Sequence, residues 1–167
     1  MKMKLITLFF MTFMSLGQTA TIPDFKLPDL ENRRVSFSDI KGEQLTVIDF
    51  WATWCKPCVR AIPKLVELQD NYSDKGVRVV GINVDSPRNT PKVKPFSRSL
   101  GVTYPILLDM NSELSQQLQV SVLPTIFIAD SDGEILFIHQ GYRPGDDRIL
   151  VEKVESLIQK LENGDKN

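Results

Sequence analysis

The sequence predicts an α/β domain, and three observations point to it. Thr46 to Trp51 is almost continuously β-branched or aromatic, the pattern of a strand covered on both faces. From Cys58 to Tyr72, apolar residues recur at Ile62, Leu65, Val66, Leu68 and Tyr72, close to helical spacing, with Lys64, Glu67 and Asp70 mostly on the other side. Val77 to Val84 then reads as a second buried strand, and strand, helix, strand implies a right-handed parallel unit. Leu123 to Asp130, the Asp132-Gly133 turn and Glu134 to Gln140 give a β-hairpin pattern. An amphipathic helix follows, marked by Leu150, Val151, Val154, Leu157, Ile158 and Leu161.

The N-terminus differs in kind. Lys2 and Lys4 precede Leu5 to Leu16, an apolar run of 12 positions broken only by Thr7, Thr12 and Ser15, and Gly17-Gln18-Thr19-Ala20 follows. A basic region, a short apolar region and small residues make a secretory signal pattern, expected over residues 1–20 with cleavage near 17–20. A membrane span needs roughly 20 apolar residues, so a retained anchor is the weaker reading. The expected mature domain is 21–167, exported to a periplasmic or other extracytoplasmic space, and tethered to the membrane only if the leader stays.

The 167 residues suit one domain, and 42% hydrophobic with 25% charged residues is globular composition. The formal charge of −1, with acids and bases interspersed, gives no footprint for nucleic acid or an anionic membrane, and neither partner is expected. Nothing in the pattern marks an exposed apolar stretch away from the cysteines, which favours a monomer.

The first strand runs into Cys55-Lys56-Pro57-Cys58, which should open the helix. Pro57 fits the first turn, where its missing N–H costs nothing. A cysteine at a helix N-terminus sits beside unpaired N–H groups and the positive end of the macrodipole, so its pKa falls; Cys55 is that cysteine. Cys58, about one turn on and on the same face, can displace a partner held on Cys55 through sulfur, and should be the more buried. Two other readings stand beside redox work. As a structural staple, so short a loop stabilises by only about 2 kcal/mol, against roughly 4.7 for a loop of a hundred residues. Structural zinc takes four ligands, whereas the chain has one cysteine pair and a single histidine, His139, in a distant apolar strand. No metal or other cofactor is expected, and His139 reads as an ordinary strand residue.

Val47-Ile48-Asp49-Phe50-Trp51-Ala52-Thr53-Trp54-Cys55-Lys56-Pro57-Cys58 resembles the active-site segment of the thioredoxin superfamily, and within it the exported thiol–disulfide oxidoreductases of the TlpA/ResA type. The resemblance covers nearly the whole mature chain. Ile22 to Leu30 and Val35 to Gly42 are similar to the N-terminal extension those proteins share with peroxiredoxins, with Asn32 in a turn where the family often has glycine; Asn tolerates the left-handed region. The resemblance implies a thioredoxin fold, a central mixed β-sheet flanked by helices. Residues 85–104 are polar with Pro87, Pro91 and Pro95 and read as a helix from about Pro91 to Leu100; the resemblance implies an inserted strand-and-helix piece here, with a short extended segment from Tyr104 to Leu108 and a helix from Ser112 to Leu118.

It also assigns residues. Pro124 would be trans by the ordinary preference of X–Pro bonds, but Val122-Leu123-Pro124-Thr125 matches the superfamily's cis-proline loop, which lies against the cysteines. There the backbone of Leu123 would pair with an extended substrate peptide. Leu123 is bulkier than the Gly, Thr or Val common in the family. Asp49, within an apolar strand, should have its pKa raised by desolvation. It matches the buried aspartate that serves the second cysteine as base and acid, where many TlpA-type proteins have Asn; a hydrogen-bonded structural Asp is the plainer reading. Trp54 and Pro57 would flank the dithiol as docking surface, and Pro63 matches the helix-kinking proline.

The function these expectations define is thiol–disulfide exchange through Cys55 and Cys58. Clients would be protein disulfides or dithiols, and a membrane donor would supply electrons. Resemblance favours reduction of exported proteins, as in cytochrome c maturation. An oxidant would run the chemistry backwards. Thiol peroxidase is a third reading, suggested by the extension; peroxiredoxins place their cysteine in Pro-x-x-x-Thr-x-x-Cys, which is not found here, since Thr53 lies two residues before Cys55.

Overall fold

The computed structural model describes residues 19–164, so the leader expected over 1–20 falls almost wholly outside the described residues. In chain order the elements are β1 (Lys26–Pro28), β2 (Arg34–Ser36), α1 (Phe37–Ile40), β3 (Leu45–Trp51), α2 (Lys56–Tyr72), β4 (Val77–Asn83), α3 (Thr90–Ser99), β5 (Ile106–Leu108), α4 (Glu113–Gln117), β6 (Thr125–Asp130), β7 (Ile135–Gln140) and α5 (Asp146–Glu162). Five strands form one sheet in the order β5-β4-β3-β6-β7. β3, β4 and β5 run parallel, and β6 and β7 pair antiparallel on the other side of β3, so the sheet is mixed.

The central strand β3 is buried along its whole length, as its near-continuous apolar sequence requires. Leu45 and Val47 pack with Leu65 and Leu68 of α2 and Val154 and Leu157 of α5. Ile48 and Phe50 point the other way, into a second cluster with Val80, Ile82 and Phe127. The N-terminal extension closes that second face: Ile22, Phe25 and Ile40 are buried in the same cluster. It is stitched on by backbone bonds, Ile22 N–H to Gly133 O at 2.8 Å and Ile135 N–H to Ala20 O at 2.8 Å.

Local signals explain most boundaries. Asn32, in the β1–β2 turn, has φ 61°, the left-handed conformation its side chain tolerates. The Asp29 carboxylate holds that turn, accepting from the N–H groups of Glu31 and Arg33 at 2.9 and 2.8 Å. Helix α2 gives way to a 3₁₀ turn over Ser73–Lys75, and Gly76 closes it at φ 74°. The inserted piece is present as α3, β5 and α4, with β5 added as an edge strand beside β4.

Two differences from the sequence reading have physical causes. β6 begins at Thr125 rather than Leu123, because Pro124 has no N–H to give to a ladder. The short helix α1 has too few turns to show periodicity; it is held at its start by Ser36, whose N–H and Oγ donate to Asp39 Oδ2 at 2.8 and 2.6 Å.

Phe50 joins the sheet to the extension: it is fully buried and meets the Phe127 ring edge-on at 5.7 Å between centroids. Phe50→Ala should lower stability by about 3–5 kcal/mol, read as a shifted midpoint in urea denaturation.

Candidate active site

At the end of β3 the chain turns sharply into α2. Cys55 N–H donates to Ala52 O at 3.1 Å, and Cys55 is the N-cap of α2. Its Sγ accepts the Cys58 N–H at 3.2 Å, one of the orphan donors of the first turn. Pro57 lies in that turn, as its sequence position requires, and Pro63 sits inside the helix. The two sulfurs are joined as a disulfide, with the Cα atoms 5.3 Å apart. Cys55 is 4% exposed and Cys58 0%, the order expected of an approachable and a sheltered thiol. Trp54, at 65% exposure, stands out into solvent beside them, more open than a half-buried packing residue would be.

A group that sequence reasoning passed over holds this turn in place. Asp85, fully buried just beyond β4, accepts the Thr53 N–H at 2.7 Å and the Thr53 hydroxyl at 2.8 Å. Asn83 Nδ2 donates to the same carboxylate at 2.9 Å, and Asn83 Oδ1 accepts the Asp85 N–H at 3.1 Å. Thr53 is thereby clamped two residues ahead of Cys55. The signal was available, since Asp85 ends a buried apolar strand as Asp49 interrupts one; its partner across the sheet was not.

Asp49 lies in the middle of β3, paired with Gly81 of β4 and Ile126 of β6. Strand alternation sets it between Val47 and Trp51 on the face covered by α2. It is fully buried, and neither carboxyl oxygen has a hydrogen-bond partner among the described residues. Burial alone pushes its pKa from the ordinary 3.8 to about 7, because an ionised carboxylate there loses its hydration with no cation to replace it.

The loop before β6 completes the site. The Leu123–Pro124 peptide bond is cis. Leu123 packs against the cluster that contains Trp51, Cys55, Cys58 and Ile62, while Val122 beside it is 45% exposed. Gly141 N–H donates to Pro124 O at 2.7 Å, and the Thr125 hydroxyl to Val122 O at 2.6 Å, so the loop is fixed at both ends. Next to the same cluster lies a largely apolar cleft of about 400 Å³, whose walls include Leu30, Pro87, Pro91, Leu108 and Met110. His139 lies elsewhere, its Nε2 3.1 Å from Asp146 Oδ2 and its ring stacked on Phe137. Among the described residues no group of three or more His, Cys, Asp or Glu side chains is placed to hold a metal, and no helix is long and apolar enough to cross a membrane.

The AhpC/TSA family matches residues 18–138. The chain belongs to that family. The thiol–disulfide oxidoreductase ResA of Geobacillus thermodenitrificans is 35% identical over 146 residues, 87% of this chain and 80% of the relative. ResA of Bacillus subtilis is 31% identical over 127 residues, covering 76% and 69%. Among solved structures, a Chlorobium tepidum protein assigned as the thiol:disulfide interchange protein DsbE superposes with a TM-score of 0.77 at 30% identity, covering 86% of this chain and 99% of the other. StoA of Bacillus subtilis superposes at 0.62 with 28% identity, covering 74% and 92%. The fold is therefore thioredoxin-like, and with Cys55 and Cys58 bridged at a helix start this AhpC/TSA member is a ResA-type thiol–disulfide oxidoreductase.

Two outcomes follow for this AhpC/TSA member. Asp85→Ala removes the acceptor for two Thr53 donors and one Asn83 donor; it should cost about 2–4 kcal/mol in thermal unfolding and slow disulfide exchange about tenfold. The second concerns Asp49. Between pH 3.8 and about 7 the folded chain keeps a proton on Asp49 that the unfolded chain has released. Its contribution is therefore fully present below pH 3.8, declines as pH rises through this window, and is gone above about 7. Asp49→Asn should abolish that decline and leave the oxidised protein several kcal/mol more stable than the parent at pH 8, on the order of 4 by linkage, as measured in denaturant titrations across pH.

Proposed function

We propose that the protein reduces disulfides of exported client proteins, with Cys55 as the attacking thiol and Cys58 as the resolving one. The observation that carries this reading is the asymmetry of the pair: Cys55, 4% exposed, caps α2 beside exposed Trp54, and Cys58, 0% exposed, lies beneath it on the face that holds Asp49. In the reduced protein the Cys55 thiolate is favoured by the helix dipole and by the Cys58 N–H aimed at its sulfur. It attacks one sulfur of a client disulfide, forming a mixed disulfide and releasing the other client sulfur as thiolate. Cys58 then gives its proton to Asp49, and the new thiolate attacks Cys55 Sγ. The Cys55–Cys58 disulfide forms, the second client thiolate leaves, and the client has gained two electrons. A separate donor, on this reading in the membrane, must return two electrons to the pair.

The client segment lies extended along Leu123–Pro124, where proline leaves neighbouring backbone groups free for a strand-like partner. Trp54, Pro57 and Val122 give it an apolar rim, and the cleft beside Leu30 and Met110 takes a flanking side chain. The leader pattern supports an extracytoplasmic workplace, and the resemblance to TlpA/ResA-type proteins supports a client of the cytochrome c maturation kind. A solitary chain in solution fits the interspersed surface charge.

The deciding measurement is the equilibrium of the pair against glutathione buffers, followed by Trp51 and Trp54 fluorescence. A value at or below roughly −250 mV supports the reductase, whereas one near −120 mV makes the protein an oxidant of exported thiols. Peroxidase work predicts rapid consumption of peroxide by the reduced protein in stopped flow; a rate no faster than that of a free thiol excludes it. Cys58→Ser should accumulate the mixed disulfide with a model client, visible by mass, and Cys55→Ser should form none.

A further inference from the structure

Asp49 has company that the exchange chemistry above does not use. Its partner across the β3–β4 ladder is Gly81, so the neighbouring strand offers no side chain beside the carboxyl on the α2 face. Three other side chains border that space. A Cβ placed on Gly81 would lie 3.0 Å from Trp51 Nε1, 3.4 Å from Cε2 of Tyr104 and 3.5 Å from Cγ1 of Ile106, and the first two carry polar groups. Tyr104 is supplied by the segment between α3 and β5, is 6% exposed, and packs with Leu45, Val47 and Leu65 on the same face as Asp49. Burial first, and then the charge of Asp49, push the pKa of the Tyr104 hydroxyl well above the ordinary phenol value.

The polar atoms gathered here are complementary. Both Asp49 oxygens, Trp51 Nε1 and the Tyr104 hydroxyl are buried without a hydrogen-bond partner among the described residues. Indole N–H only donates, a phenol hydroxyl donates, and an ionised carboxylate only accepts. Buried polar groups are normally paired, and pairing matters most when one of them becomes charged. We propose that Tyr104 is a positioning residue for Asp49: its hydroxyl donates to the carboxylate, directly or across one water, whenever Asp49 ionises, with Trp51 Nε1–H as the second donor. Gly81 is the opening that lets both reach. The device sets how readily Asp49 takes the Cys58 proton, and so rests on the reading of Asp49 as the base for Cys58.

The titratable groups facing Asp49 are few. α2 presents Cys58 and the segment before β5 presents Tyr104; β4 and β6 present Gly81 and Ile126 as its ladder partners. Burial is what raises the carboxyl's pKa, and neither oxygen has a hydrogen-bond partner among the described residues.

The test is a carbon-13 NMR titration of the Asp49 carboxyl in the oxidised protein, where the cysteines do not ionise. Loss of a donor to the charged form should move the Asp49 midpoint upward by about one pH unit in Tyr104→Phe, a tenfold gain in proton affinity. Gly81→Ala, whose Cβ crowds the indole nitrogen at 3.0 Å, should move it in the same direction and serves if Tyr104→Phe does not fold. An unmoved midpoint in both folded variants overturns the proposal. Single-turnover resolution of a mixed disulfide then separates the two readings: Tyr104→Phe should shift its pH profile in the parent and leave it unchanged in Asp49→Asn. If the NMR midpoint moves while Asp49→Asn resolves normally, the Tyr104 pairing stands and the base role of Asp49 falls.

Discussion

The burial of β3 on both faces is the constraint from which the other layers follow. A strand with no solvent-facing side needs a strand on each edge and a cover on each face. β4 and β6 supply the edges, α2 and α5 one cover, and the N-terminal extension the other. Each of its large apolar side chains stabilises the fold by roughly 1.5–3 kcal/mol when taken fully from water. The strand also fixes where chemistry can occur, since it ends at Trp51 and the next turn must deliver the chain into α2 at Cys55.

The same strand carries the one residue that works against it. A carboxyl in the middle of β3 costs stability once ionised, and α2 and α5 pack over it in preference to admitting bulk water. The cost leaves Asp49 with a pKa raised by burial to about 7, the property that the proposed exchange would draw on. Asp85 shows the contrasting solution for a buried carboxylate. It is surrounded by donors and holds Thr53 in place, whereas neither oxygen of Asp49 has a hydrogen-bond partner among the described residues.

Much of the fold was legible because the decisive patterns are local. The β-branched run of β3, the periodicity of α2 and α5, and the hairpin turn at Asp132-Gly133 each follow from rules that reach only a few residues. The cysteine pair and its place at a helix start were legible for the same reason. Asp85 and Tyr104 were not, because their partners lie far away in the chain: Asp85 meets Thr53 across the β3–β4 ladder, and Tyr104 enters from a connection whose path no periodicity specifies. α1 was missed because a single turn of helix is too short to display a period.

By itself the sequence determined the central strands, the two long helices, the place of the dithiol at a helix start, and the burial and cost of Asp49, since these depend on side-chain type and short-range spacing. Tertiary structure alone decided which donors meet Asp85, that Asp49 meets none among the described residues, and that the extension closes the second face of the sheet. These are properties of what lies opposite across a ladder or beneath a helix, and the pairing of distant segments that sets them is a collective result of packing the whole chain.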